Sequence, residues 1–67
     1  MATVRELLHF LQQQGYRRAR QTGSHIILEH SSRRMLVVPQ HRGDIPKGLL
    51  IRILKDGGFT WDDFSKQ

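Results

Sequence analysis

Residues 16–38 read YRRARQTGSHIILEHSSRRMLVV, and this stretch predicts a small β-sheet. Strands are expected at residues 16–21, 25–30 and 33–38. The turns between them are expected at Thr22-Gly23-Ser24 and Ser31-Ser32. Pro39 should end the last strand because proline has no N–H to donate to a ladder. Since short connections make neighbouring strands antiparallel, the stretch predicts a three-stranded antiparallel meander.

The second predicted strand alternates in a way that separates its two faces. Ile26 and Leu28 fall on one face, whereas His25, Ile27 and Glu29 fall on the other. The third strand is apolar throughout its second half, so the sequence leaves its buried face undecided.

A helix is predicted before the sheet. Thr3 and Glu6 form a T-x-x-E capping box, in which the hydroxyl and the carboxylate each satisfy a free N–H at the helix start. The apolar stripe with helical spacing consists of Val4, Leu7, Leu8 and Leu11. Gly15 is expected to end this helix in the left-handed conformation.

A second helix is predicted after the loop of residues 40–43. Asp44 is its expected cap, and Pro46 fits a first turn, where the missing N–H costs nothing. Gly57-Gly58 should end the helix. The stripe expected to be buried comprises Leu49, Leu50, Ile53 and Leu54.

A short helical turn is expected at residues 60–64, with Phe59, Trp61 and Phe64 folding back to seal the core. The chain, residues 1–67, is thus predicted to be a single α+β domain of order α-β-β-β-α. Two helices would cover one face of the three-stranded sheet and leave the other face open for His25 and the basic side chains. Double-stranded-RNA-binding domains share this architecture, which by itself does not establish a function.

The charge of the chain favours a polyanionic partner. Eleven Lys and Arg residues face six Asp and Glu residues, for a net charge of +5. Residues 1–55 hold ten of the bases and three of the acids, so the positive charge is concentrated in the body of the chain. Such a body attracts nucleic acid, anionic lipid or an acidic protein.

Composition also limits the compartments in which the protein is expected and the cofactors that it is expected to bind. The chain has no cysteine, which excludes disulfides and thiolate metal sites and fits a reducing compartment. No apolar run approaches the roughly 18 residues of a membrane span, and no signal pattern opens the chain. We therefore expect a cytoplasmic protein with no membrane partner and no small-molecule cofactor. We also expect no metal, because no histidines or carboxylates stand at metal-ligand spacing.

His25 is the residue that suggests a catalytic function. An imidazole is the side chain whose ordinary pKa lies nearest neutrality, so it can take the proton of a ribose 2′-hydroxyl. Arg20 or Lys47 would then hold the phosphate that the hydroxyl attacks. Gly23 permits the tight turn before His25, and Ser24 can hydrogen-bond the phosphate or orient the ring. On spacing alone, however, a strand-edge histidine without a role is the slightly better interpretation.

Lys47 and Gly48 form a second candidate phosphate site. Pro46 has no N–H, so their amides are among the first free donors of the second helix, where a phosphate can bind. If Asp44 caps those amides instead, Lys47 is only a solvated surface charge. The sequence leaves both interpretations open.

A general acid for the leaving oxygen is less evident. His30 lies five residues after His25, so its side chain should point to the opposite face and be structural or peripheral. His41 lies in a loop from which it can reach the site, whereas His9 is expected to be a solvated residue. A lysine, water or a second protomer are the alternatives.

Five pieces of the chain occur together in a characteristic order. They are Gly15-Tyr16, Arg20-Gln21-Thr22-Gly23-Ser24-His25, Val37-Val38-Pro39, Ile45-Pro46-Lys47-Gly48-Leu49 and Ile53-Leu54-Lys55-Asp56-Gly57-Gly58. In this combination the chain resembles the HicA toxins, the ribonuclease half of HicA–HicB toxin–antitoxin pairs. The resemblance implies a fold like that of double-stranded-RNA-binding domains and an endonuclease that cleaves mRNA.

The resemblance also implies a catalytic residue and a partner. The catalytic histidine of the family corresponds to His25, and the implied partner is a HicB-type antitoxin. Two other classes of function remain as alternatives. One is a noncatalytic RNA-binding module that uses the same open face, and the other is an interaction domain whose basic face meets an acidic protein.

Overall fold

The computed structural model describes residues 2–66 and confirms the predicted order of elements. In chain order they are helix α1 (Val4–Gln13), strands β1 (Arg17–Thr22), β2 (His25–Glu29) and β3 (Leu36–Pro39), helix α2 (Lys47–Asp56) and helix α3 (Trp61–Ser65). The sheet is antiparallel with strand order β1-β2-β3. The fold is therefore of the α+β class and consistent with that of double-stranded-RNA-binding domains.

Helix α1 begins as the sequence predicts. The backbone N–H of Glu6 donates to the Thr3 hydroxyl, and the backbone N–H of Thr3 donates to the Glu6 carboxylate at 2.9 Å. This backbone hydrogen bond is the main reason why the pKa of Glu6 lies below its ordinary value. The carboxylate thus stabilises the helix start above the pKa that it has in the unfolded chain, and the contribution is lost as the pH falls.

The buried face of α1 differs from the predicted stripe at one position. Val4, Leu7 and Leu11 are buried as expected, but Leu8 is only partly buried. Phe10 takes the remaining buried position, with 2 % of its surface exposed. Its ring meets those of Phe59 and Phe64 edge to face, with centroids 5.1 and 5.4 Å apart. The core is therefore organised around Phe10.

Strand β1 carries a bulge that decides which arginines share a face. Arg18 pairs with Leu28, but Arg20 pairs with Ile27, so one extra residue lies between the two pairs. Without the bulge, Arg17 and Arg20 would point to opposite faces, because side chains alternate along a strand. With it, both lie on the face that the helices do not cover.

The connection between β2 and β3 corrects the predicted Ser31-Ser32 hairpin. Strand β3 begins at Leu36 rather than at residue 33, so the link spans residues 30–35. Arg33 leaves the sheet because its guanidinium donates to the Gly57 carbonyl at 2.7 Å and lies 4.6 Å from the centre of the Phe59 ring. The Tyr16 hydroxyl donates to the Arg34 carbonyl at 2.8 Å. These contacts with residues distant in sequence explain the late start of β3.

The start of helix α2 corrects the predicted Asp44 cap. The cap position is held by Pro46, which makes no side-chain cap hydrogen bond. Asp44 instead forms a β-bridge with Thr3, and the neighbouring Ile45 N–H donates to the Ala2 carbonyl at 2.7 Å. These contacts bind the segment before α2 to the start of α1. Among residues 2–66, no side chain caps the first amides of α2.

The prediction that three aromatic residues seal the core is correct for two of them. Phe59 and Phe64 are buried, but 44 % of the Trp61 surface is exposed. Trp61 is the first residue of α3, which Thr60 and Asp63 begin with a second capping box. The aromatic positions around Phe10 are therefore filled by the two phenylalanines, while Trp61 lies at the surface.

We call the sheet face opposite the helices the open face. On the covered face, Ile26, Leu28, Leu36 and Val38 are each at most 3 % exposed. The open face carries three cross-strand rows, namely Thr22–His25–Pro39, Arg20–Ile27–Val37 and Arg17–Glu29. The pattern thus places His25 in the middle of the first row, as the alternation of β2 predicts.

Candidate active site

His25 is presented at the first position of β2. The turn that precedes it contains Gly23 at φ +59°, in the left-handed region that favours glycine. The His25 side chain is exposed and stands between Thr22 and Pro39 on the open face. Among the residues that the structure describes, none makes a hydrogen bond to its ring nitrogens. Both nitrogens are thus open to a ligand.

Arg20 is the arginine of β1 that remains available beside His25. Arg17 donates to the Glu29 carboxylate at 3.0 Å, and Arg18 donates to the Gln21 side chain at 2.6 Å. No such contact to the guanidinium of Arg20 is found within residues 2–66. Its position, one row from His25 on the same face, corresponds to a diagonal cross-strand neighbour, about 7–8 Å away between backbones and within reach of a long side chain.

The open face supports Arg20 with apolar surface. Ile27, the cross-strand partner of Arg20, is only 8 % exposed although it lies on the uncovered side of the sheet. Val37 continues the same row on β3. An arginine stem packs well on such a surface while its guanidinium stays in water. The row therefore favours an Arg20 side chain that lies along the face that carries His25.

The Gly23-Ser24 turn is anchored through its backbone. The Ser24 carbonyl accepts from the Gln40 N–H at 2.6 Å, and the Gly23 carbonyl accepts from the Gln21 side chain at 3.1 Å. Ser24 itself is exposed, and a Cβ added at Gly23 would meet open space. The turn thus keeps a fixed backbone before His25 and presents an exposed serine at the position that precedes it.

A groove of about 430 Å³ begins at His25 and runs between β3 and α2. We call it the His25 groove. Its walls include Val37 and Pro39 from β3 and Leu49, Arg52 and Asp56 from α2. It is smaller than the depression of about 630 Å³ between α1 and α3, which holds His9 and Trp61. We consider the smaller one the candidate site because its histidine, unlike the exposed His9, lies on the open face one row from Arg20.

Lys47 is placed away from the His25 groove. It lines a separate depression of about 130 Å³ with Ala2, Ile45, Leu50 and Trp61. Gly48 lies in the first turn of α2, where an added Cβ would meet open space. The uncapped start of α2 approaches the groove through Leu49 instead. Of the predicted residues, the structure brings together His25, Arg20, Gly23 and Ser24, and leaves Lys47 apart.

The other histidines occupy different surroundings. The Nδ1 atom of His30 accepts from the Ser32 N–H at 3.0 Å, which leaves Nε2 to donate to the Gln14 carbonyl at 2.9 Å. Both ring nitrogens of His30 thus have backbone partners, which favours the structural role of the two that the sequence leaves open. His41 lines a depression of about 360 Å³ near α1, together with Arg5 and Arg18, rather than the His25 groove.

Sequence reasoning misses two arginines of the site. Arg34 and Arg52 both line the His25 groove, although in sequence they resemble scattered surface charges. The helical spacing of Leu49 and Arg52 is the one available signal, because residues three apart share a helix face. Which face of α2 meets the edge of the sheet is a tertiary property that this spacing does not supply.

The fold and the site define the class of this protein. It is a small basic α+β domain with an exposed histidine on an open sheet. The family profile described as HicA toxin of bacterial toxin–antitoxin matches residues 4–59 of the 67. The chain therefore belongs to the HicA toxin family and is a toxin of a bacterial toxin–antitoxin system. HicA toxins generally cleave RNA.

Two further findings accompany the family match. A search of curated proteins finds no match to this chain. Among residues 2–66, no helix combines the length and the apolar character that crossing a bilayer demands.

Proposed function

We propose that the protein is a metal-independent endoribonuclease that cleaves mRNA, with His25 as the general base. The observation that carries the proposal is the exposed imidazole of His25 on the same face as Arg20. Within residues 2–66, neither side chain has a hydrogen-bond or ion-pair partner. Membership of an RNA-cleaving toxin family supports it. The cytoplasm, where mRNA is translated, is the compartment in which we expect the protein to act.

The proposed reaction proceeds within the RNA strand. His25 accepts the proton of a ribose 2′-hydroxyl, and the oxygen forms a bond to the adjacent phosphorus while the bond from phosphorus to the 5′-oxygen breaks. The products are a 2′,3′-cyclic phosphate and a 5′-hydroxyl, whose proton comes from water. Neither a metal ion nor an outside nucleophile enters this step. Positioned acid–base catalysis of this kind contributes about 10²–10⁴-fold to the rate.

Cations and backbone groups around His25 would stabilise the phosphate. Arg20 binds the phosphate under attack, because a guanidinium offers paired N–H donors to two oxygens. Ser24 donates its hydroxyl to the same phosphate, and Gly23 keeps the turn compact beside it. Lys47 and Gly48 bind a more distant phosphate of the strand at the uncapped start of α2.

The proposal is tested by cleavage of single-stranded RNA in excess EDTA. We expect cleavage by the purified protein, and we expect a substrate with 2′-deoxyribose at the mapped cleavage position to remain intact there. The deoxy substrate is the matched control because it keeps every phosphate and base but lacks the attacking oxygen. Mass spectrometry of the products should show a terminal cyclic phosphate.

Two results would contradict the proposal. A gel shift without cleavage, in EDTA and in magnesium alike, would identify a noncatalytic RNA-binding module on the same fold. Cleavage of the deoxy substrate at the same position would exclude the 2′-hydroxyl as the nucleophile.

The affinity of the protein for single-stranded RNA should fall by about 0.7 log units per contacted phosphate for each tenfold rise in salt.

We also propose that the antitoxin is of the HicB type and inhibits by covering His25. Exposed apolar residues border the site, with Met35 53 % and Val37 40 % exposed, and buried apolar surface is the usual centre of a protein interface. The net charge of +5 favours an acidic partner. Inhibition by occlusion needs no conformational change in the toxin.

Occlusion is tested by titration of the proposed HicB-type antitoxin. We expect cleavage to fall in proportion to the complex formed, and we expect His25 to become inaccessible to diethyl pyrocarbonate in that complex. The exposed His9 on α1 is the internal control for general loss of reagent. Cleavage that persists at saturating antitoxin would contradict inhibition by occlusion.

A further inference from the structure

The His25 groove has a direction that the backbone fixes. Arg33, three residues before β3, donates to the carbonyl of Gly57 at the end of α2. The beginning of β3 therefore lies beside the end of α2, and Pro39 lies nearer to its beginning. Leu49 and Asp56 are seven residues apart on α2, which corresponds to about 10 Å of groove at 1.5 Å per residue. His25 marks one end and Asp56 marks the other.

Two arginines line this groove from different elements. Arg52 lies on the same helix face as Leu49, one turn further from His25, and Arg34 comes from the segment before β3. Within residues 2–66, the only ion pair joins Arg17 to Glu29, so neither groove arginine is neutralised by an acid. Asp56 is the one acid among the lining residues. The groove thus combines an apolar wall with available guanidinium groups.

We infer that the His25 groove binds the nucleotide next to the phosphate at which the RNA is cleaved, with Arg52 holding that nucleotide's own phosphate. This inference rests on the proposed function. The volume of about 430 Å³ lies in the range of small-ligand sites, about 300–1,000 Å³. Val37 and Leu49 pack against the ribose and base, and the planar guanidinium of Arg52 pairs with two phosphate oxygens.

Charge and position favour RNA over a protein segment in this groove. It begins at the imidazole of His25, so a strand positioned for attack there must continue along one of its neighbouring surfaces. The groove offers that strand two cations against one acid. Pro39, at the end of the β3 edge, has no N–H to donate to an added protein strand.

The inference is tested by binding, without cleavage. The His25→Ala variant is the background, a fluorescently labelled single-stranded RNA that contains all four bases is the probe, and anisotropy is the measurement. We expect Arg52→Gln to weaken binding about tenfold, since a hydrogen-bonded charge contributes about 1.5 kcal/mol or more. The salt slope should fall by about 0.7, the share of one phosphate on a single strand.

Lys55→Gln is the matched control. It removes the same charge from the same helix, and its exposed side chain is not among the groove residues. Lysine, arginine and glutamine have similar helix propensities, so neither variant should perturb α2. We expect the control to change affinity less than twofold, and we expect Arg52→Lys to bind with intermediate affinity because it keeps the charge but loses the planar fork.

Each outcome of the experiment decides the inference. Equal affinities of Arg52→Gln and Lys55→Gln for RNA would overturn it, even if wild-type cleavage proceeds as proposed. Loss of antitoxin binding by Arg52→Gln with unchanged RNA affinity would assign the groove to the protein partner and overturn it as well. Absence of cleavage by the wild-type protein would contradict the proposed function alone, since the binding measurement does not use cleavage.

Discussion

Replacement of His25 by alanine is expected to lower the rate of RNA cleavage by about 10²–10⁴-fold, the contribution of a positioned acid–base group. The fold should be unaffected, because the side chain is exposed and has no hydrogen-bond partner among the residues that the structure describes. Surface substitutions of this kind usually change stability by no more than about 0.5 kcal/mol. Single-turnover cleavage of an end-labelled RNA measures the loss, and the thermal midpoint verifies the fold.

His9→Ala is the control for His25→Ala. His9 is also an exposed histidine, but it lies on α1 beside the depression between α1 and α3, away from the open face. We expect His9→Ala to cleave RNA at the wild-type rate. RNA affinity of His25→Ala should remain close to that of the wild type, since the proposed phosphate contacts of Arg20 are unchanged. Full cleavage by His25→Ala would remove His25 from the mechanism.

The position of His25 follows from short-range signals in the sequence. The alternation of β2 places it on the face opposite Ile26 and Leu28, and the glycine turn places it at a strand end. The capping box of α1 is likewise complete within four residues. Such features need no knowledge of distant contacts, which is why the fold class and the orientation of the central strand are predictable.

The sequence predictions are wrong where a segment makes contacts with residues that are distant in sequence. The Ser31-Ser32 hairpin is lost because Arg33 binds the end of α2, and the Asp44 cap is lost because Asp44 bridges to Thr3. Trp61 is predicted to be buried from its hydrophobicity, but Phe59 and Phe64 already occupy the space around Phe10. These outcomes depend on packing between elements.

The candidate site is predictable only in its local part. Arg20, Gly23, Ser24 and His25 lie within six residues, and the strand register keeps Arg20 and His25 on one face. The register itself depends on the bulge in β1. No glycine or proline lies at that position to indicate a bulge in the sequence. Arg52 lies 27 positions after His25 in the sequence and reaches the groove through the packing of α2 on β3.

Replacement of Phe10 by alanine is expected to lower the free energy of unfolding by about 3–5 kcal/mol, the usual cost of truncating a buried phenylalanine. Phe10 is 2 % exposed and joins α1 to both Phe59 and Phe64. A domain of 67 residues has a total stability of about 3–10 kcal/mol. The variant should therefore be close to unfolding at physiological temperature, as urea denaturation followed by circular dichroism would measure.

Two matched variants separate the packing role of Phe10 from its hydrophobicity and size. Phe10→Leu keeps an apolar side chain and should cost less than Phe10→Ala, because the remaining cavity is smaller. Trp61→Ala truncates a larger aromatic ring that is 44 % exposed and should cost only about 1 kcal/mol. A Trp61→Ala variant less stable than Phe10→Ala would place the aromatic centre of the core at α3. The helices pack on one face of the sheet, and His25 lies on the other. Loss of Phe10 should therefore abolish cleavage, because the sheet that positions His25 no longer folds.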